Sequence, residues 1–160
     1  MIEYKERGIL IFSKISSENN LYLKILTQKD EIITGLSFGG STKKKKNIFQ
    51  IGYFLNIVVK NKNKNFPNSI SAELSKPYYY NIFNDKYKLH ALLTLVSLLN
   101  ISIIEGQKVS GLFNLSENII EILANEKKWI INYFIFLLNL LKIIGYDIDY
   151  QKNTSKDYLN

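Results

Sequence analysis

An α+β fold is predicted for this chain, with five strands in its first half and a small helical domain in its second. Three observations predict it. Apolar, β-branched segments separated by turn clusters succeed one another as far as residue 74. After the aromatic run Tyr78, Tyr79 and Tyr80, the apolar period changes from two to near 3.6. Charge divides the same way: residues 1–80 hold thirteen Lys/Arg against six Asp/Glu, while residues 81–160 hold eight of each, so the whole net charge of +7 lies in the first half.

The strands follow in order. Residues 8–15 (Gly-Ile-Leu-Ile-Phe-Ser-Lys-Ile) are apolar and branched, and the cluster 16–20 turns the chain into a second strand at 21–27. Lys29 and Asp30 make a short turn into a third strand, 31–38. A glycine-hinged segment, Gly35 to Gly40, then leads to four consecutive lysines and a fourth strand at 53–60. The polar tract 61–68, with Pro67, precedes a fifth at 70–74. Five strands in about 75 residues, with no helical pattern among the first four, predict a closed barrel of the OB-fold size. Such barrels bind oligonucleotides on their loops and one sheet face.

Pro77 marks the expected boundary, giving an OB domain over 1–77, a helical domain over 78–150 and a disordered tail over 151–160. Asp85 caps a helix from Lys86 to about Leu99, with Leu89, Leu92, Leu93, Val96 and Leu99 on its apolar stripe. Asn114 and Glu117 have the spacing of a capping box and open a helix through Ala124. A third helix runs from about Lys127 to Ile144 and stops at Gly145. Its stretch 129–144 is apolar nearly all round yet short for a membrane span, so burial on several sides is expected, with Trp129, Tyr133, Phe134, Leu137 and Leu141 in the core and part of the surface left for a partner.

Composition excludes several classes. Cysteine is absent and His90 is the single histidine, so disulfides, thiolate sites and zinc staples are not expected, and neither metal nor cofactor is called for. The opening residues are charged and the first apolar run is too short for a secretory signal, which makes a cytoplasmic protein the expectation. Ile, Lys and Asn supply 62 of the 160 residues and Arg appears once, a pattern of A/T-rich coding. Lysine content alone therefore says little, and its uneven placement says more.

That placement predicts a polyanion site. Lys43, Lys44, Lys45 and Lys46 form its centre, with Lys24, Lys60, Lys62 and Lys64 expected to converge on the same barrel edge. Phe38, Phe49 and Tyr53 bracket the loop as candidates for base stacking, although strand alternation sends about half of such rings into the core. Lysine has no base-reading geometry, so binding is expected to be largely independent of sequence. The Gly35–Gly40 segment nearly matches a phosphate-binding loop, but Ser41 stands where its lysine belongs, which argues against nucleotide hydrolysis. Glu117 with Glu121, and Asp147 with Asp149, read as solvated surface, and His90 as an ordinary helix residue. Nothing assembles a nucleophile, base and orienter, so an enzyme is not expected.

The order of features resembles the bacterial RecO family of DNA repair and recombination mediators. The residues that carry it are the charged opening into a strand at 3–12, the G-x-x-x-G-G segment with its basic run at 35–46, and the Gln50-Ile51-Gly52 entry to the next strand. A Trp-led apolar helix then ends in Ile143-Ile144-Gly145-Tyr146-Asp147. The resemblance implies an N-terminal OB-fold with a helical C-terminal domain. It also implies binding of single- and double-stranded DNA, strand annealing, and work with RecR and single-stranded-DNA-binding protein in loading RecA. It further implies docking of that protein's acidic-hydrophobic tail, for which Lys127, Lys128, Trp129 and Lys142 are the candidates. Many members continue into a cysteine-bearing zinc segment that this sequence does not contain, so it reads as a short form without zinc. An OB-fold RNA-binding factor and a truncated interaction adaptor are the alternative readings.

Overall fold

A computed structural model describes residues 2–61, 66–76 and 79–146; the calls on Lys62, Lys64, the Pro77 boundary, Asp147, Asp149 and the 151–160 tail lie outside them. The strands are β1 (Ile2–Ser17), β2 (Asn20–Thr27), β3 (Ile32–Ser37), β4 (Phe54–Asn61) and β5 (Ser69–Leu74). They close into a barrel in the order β1-β2-β3-β5-β4, the OB-fold arrangement. β1 is twice the expected length because it serves two neighbours. Ile2 to Ile9 pair with β4, and Gly8 to Ser17 pair with β2. Gly8 belongs to both ladders, in a space that admits no Cβ. The barrel closes where β3 and β5 run parallel at Leu36 and Ser69, held by a 2.8 Å bond from the Leu36 N–H to the Asn68 carbonyl.

Two apolar clusters divide the interior. Leu10, Leu23, Ile25, Leu55, Ile57, Val59 and Ile70 fill the barrel. Ile9, Ile11, Leu26, Ile32 and Phe54 face outward and join the helices in a second core. β1 is thus buried on both faces around residues 9–11, which explains its unbroken apolar run.

The helices are α1 (Tyr79–Phe83), α2 (Lys86–Ser102), α3 (Leu112–Asn125) and α4 (Ile130–Ile143). Asp85 caps α2, its carboxylate accepting from the N–H groups of Tyr87 at 2.9 Å and Lys88 at 3.3 Å. α1 was not legible as a helix, being five residues long. The stripe on α2 is rotated from the expected one: Ala91, Leu92, Leu95, Val96 and Leu99 are buried, and Leu93 is exposed. Lys88 is buried too, its ammonium donating to the Glu126 carbonyl at the end of α3 (2.9 Å), where a cation suits the helix dipole.

The capping box expected at Asn114 and Glu117 does not form. α3 begins earlier, after Gly111 at φ +82°, and Asn114 lies inside it. Its cap comes from the β2–β3 turn, where Asp30 Oδ2 accepts from the Gly111 N–H (2.8 Å) and Oδ1 from the Phe113 N–H (2.9 Å). Asp30 itself sits at φ +64°, a conformation that Asn and Asp tolerate. Replacing Asp30 by alanine is expected to cost about 1–2 kcal/mol, and by asparagine less, because the amide keeps one of the two acceptors and tolerates the positive φ. Urea unfolding of the two variants measures the difference, and equal losses would refute the capping role.

Glu117 and Glu121 are not free surface carboxylates. Glu117 accepts from Arg7 of β1 at 2.9 Å and from Lys76 at 2.8 Å, and Lys76 also reaches Glu121 at 2.8 Å. The Glu117 side chain is 16% exposed, and the Arg7 guanidinium lies 5.2 Å from the centre of the Phe113 ring. The single arginine therefore joins the barrel to α3 by an ion pair and a ring contact together.

α4 is buried on one side, not on several. Tyr133, Phe136 and Leu140 face the core, with the Tyr133 hydroxyl donating to the Ala91 carbonyl (2.9 Å). Burial pushes that phenol above its usual pKa. Phe134, expected in the core, is 62% exposed, and Ile131, Ile135 and Leu138 share its face. No helix among the described residues is long and apolar enough to cross a membrane.

Candidate nucleic-acid interface

The lysine run lies on the long β3–β4 loop, and local hydrogen bonds give that loop a shape. The Gly39 N–H donates to Asn20 Oδ1 (3.1 Å) and the Ser41 N–H to the Asn19 carbonyl (3.1 Å), tying its start to the β1–β2 turn. The N–H groups of Lys45 and Lys46 both donate to the Thr42 carbonyl, at 3.0 and 2.8 Å, which coils the run into a tight turn. Gln50 Nε2 then donates to the Lys46 carbonyl at 2.9 Å. Lys43, Lys44, Lys45 and Lys46 all project into solvent. Among the described residues no carboxylate lies within ion-pairing distance of any of them, whereas Lys60 is paired with Glu3 at 3.1 Å. Four adjacent cations without acid partners among the described residues carry a concentrated local positive field.

Beside the loop, Lys46 with Ser13, Ser41 and Gln50 rims a cleft of about 200 Å³ whose apolar lining includes Phe49. The larger cavity of the barrel, about 650 Å³, is lined by groups of both signs, including Glu6, Glu73, Lys5 and Lys45. It lacks the cationic bias of the loop. The buried Glu6 carboxylate there is met by Lys29 at 2.7 Å, a hydrogen bond that raises the lysine's pKa.

The expected stacking rings separate. Phe38 is 58% exposed at the start of the loop. Phe49 is 6% exposed and belongs to the barrel core, so its face is closed to a base. Tyr53 is half-buried between the two cores, and burial raises its pKa.

Lys24, named from the sequence, belongs to a second set whose other members sequence reasoning missed. A register shift between Leu10 and Phe12 lets Ile11 point to the helices and brings Phe12 opposite Lys24 on the outer sheet face. Tyr22 lies beside them, its ring 6.4 Å from Phe12, and the Lys24 ammonium stands 5.7 Å over the Phe12 ring. Lys14 pairs across from Tyr22. This aromatic and cationic patch on β1 and β2 was signalled by the alternation of Tyr22 and Lys24 in one strand, but its assembly depends on the bulge.

At the helical end, Lys127 and Lys128 are exposed next to Trp129, whose ring packs edge-on against Tyr133 at 6.0 Å. Lys142 lies in the last turn of α4. At 1.5 Å per residue it is about 20 Å from Lys128, so the two ends do not form one pocket.

The family described as "Recombination protein O C terminal" matches residues 84–155. The DNA repair protein RecO of Rickettsia canadensis is 27% identical over 148 residues, covering 92% of this chain and 61% of that protein. That of Rickettsia bellii is 27% identical over 157 residues, covering 96% and 64%. That of Orientia tsutsugamushi (strain Boryong) is 26% identical over 147 residues, covering 92% and 61%. The chain thus spans about three-fifths of the length of these curated relatives.

Proposed function

We propose that the chain, which is similar to RecO proteins through both halves, is a member of that family and a DNA repair and recombination mediator without catalytic activity of its own. The observation that carries the reading is the exposed lysine run, without acid partners among the described residues, on a closed five-stranded barrel, next to a sheet face that offers Phe12, Tyr22 and Lys24. Phosphates are neutralised by Lys43 to Lys46, with Lys24 and Lys60 at the margins. The sugar–base side of a single strand lies toward the half-buried rings of Phe12 and Tyr22. Duplex DNA uses the lysines alone, because its base faces are stacked away. Neutralising two strands at once lowers the barrier to their annealing, and releasing counterions from a protein-coated strand favours its transfer to RecA.

On this reading the helical unit meets other repair proteins, RecR and single-stranded-DNA-binding protein among them. An acidic tail with an aromatic end suits the start of α4, where Lys127 and Lys128 stand beside Trp129 and the exposed Ile130 and Phe134. The domain division at residue 77 and action on the nucleoid in the cytoplasm belong to the same proposal.

Anisotropy titrations of matched single-stranded DNA, duplex DNA and RNA across a range of salt concentrations test it. Binding of both DNA forms with a steep salt dependence is expected. A clear preference for RNA would point to an RNA-binding OB protein, since a 2′-hydroxyl reader favours RNA. Absence of salt-sensitive binding would favour an interaction adaptor.

A further inference from the structure

The far end of the lysine loop is pressed against the helical unit and delivers an aromatic ring there. Gly52, at φ +84°, touches α2 so closely that a Cβ would stand 2.9 Å from Leu92 Cδ2. Tyr53 follows, its ring centre 6.0 Å from that of Phe83 at the end of α1. Phe83 is still 41% exposed, and Tyr80, one turn earlier, is 79% exposed. Just beyond, the Lys86 ammonium lies 5.0 Å from the ring of Tyr87, itself well exposed. The path back to the lysines is continuous: the Tyr53 N–H donates to the Gln50 carbonyl at 3.1 Å, and the Gln50 side chain donates to Lys46.

Isolated exposed rings need no explanation. Several rings in series with cations are a different matter, because they suit a flexible polyanion that carries a flat π face on every unit. An acidic peptide would engage the lysines but would leave most of the ring faces unused.

We propose that Tyr53, Phe83 and Tyr80 form a base-stacking platform that carries a single strand from the lysine loop onto the helical unit. The proposal rests on the nucleic-acid reading above and extends it across both halves of the chain. A strand held this way contacts more nucleotides than the barrel alone spans.

The test uses the full chain with Tyr80→Ala and Phe83→Leu. The first removes a ring that is mostly in solvent; the second keeps apolar volume and removes only the aromatic face. Anisotropy is read with an oligothymidylate of about 8 nucleotides, within the span of one OB-fold, with one of about 25 nucleotides, and with a duplex. Each variant is expected to lose about tenfold in affinity for the longer strand, with the duplex, the short strand and the salt slope nearly unchanged. A matched oligouridylate distinguishes RNA from DNA as the strand. Unchanged binding of the longer strand by both variants, or equal loss on the duplex, overturns the platform. Lack of salt-sensitive binding in the parent chain would instead remove the nucleic-acid reading beneath it.

Discussion

Changing Lys43, Lys44, Lys45 and Lys46 together to alanine is expected to weaken nucleic-acid binding roughly a hundredfold at 0.1 M salt, and to do so alike for all sequences. The four ammonium groups are exposed and unpaired with acids among the described residues, so the protein's own fold spends little of their charge. If two to four of them meet phosphates, the log–log salt slope falls by about two to four units. The loop's shape comes from Asn20, Thr42 and Gln50, none of which is changed. Lys45 contributes only a long contact, 3.4 Å, to the Phe38 carbonyl. The thermal midpoint should therefore hold while the slope drops. An unchanged slope in the folded variant would exclude the loop from the binding site.

Gly8→Val is expected to produce the largest loss of stability, about 3 kcal/mol, which for a chain of this size lowers the melting temperature by about 6–12 °C. A Cβ there would stand 2.3 Å from Ile25 Cγ2 and 2.8 Å from the Leu26 carbonyl oxygen. Neither neighbour can yield easily. Ile25 is fully buried in the barrel, and Leu26 belongs to the ladder that pairs β1 with β2. Gly106 provides the contrast: it has φ +80° but open space around it, so Gly106→Ala should cost only about 1–2 kcal/mol of backbone strain. Thermal denaturation of the two variants decides the matter. Equal shifts would mean that β1 can part from β2 at this point without opening the barrel.

Much of the fold was legible. β2 to β5 lie within a residue or two of their expected bounds, because apolar alternation and turn residues act locally. The Asp85 cap was legible for the same reason, as was the end of α4 before Gly145 at φ +98°. β1 was underestimated. Its first six residues carry four charges, at positions 3, 5, 6 and 7, and place Glu6 on the interior side, opposite Ile57, which masks the strand pattern. At the candidate site, the cationic loop needed only the order of residues along the chain. Phe49 did not yield to the same reasoning: a ring after a loop faces either core or solvent, and here it fills the barrel.

By itself the sequence determined the classes of element, the basic first half, the lysine loop and the similarity to RecO proteins, because each is written in neighbouring residues or in their order. Tertiary structure alone decided which groups meet across long separations. Asp30 caps a helix more than eighty residues away, Arg7 of β1 finds Glu117 of α3, and Tyr53 meets Phe83 where the loop lands on α1. The physical reason is the same in each case. A cap, an ion pair or a stacked ring is satisfied by whichever complementary group packing brings within a few ångströms, and local spacing carries no record of that distance.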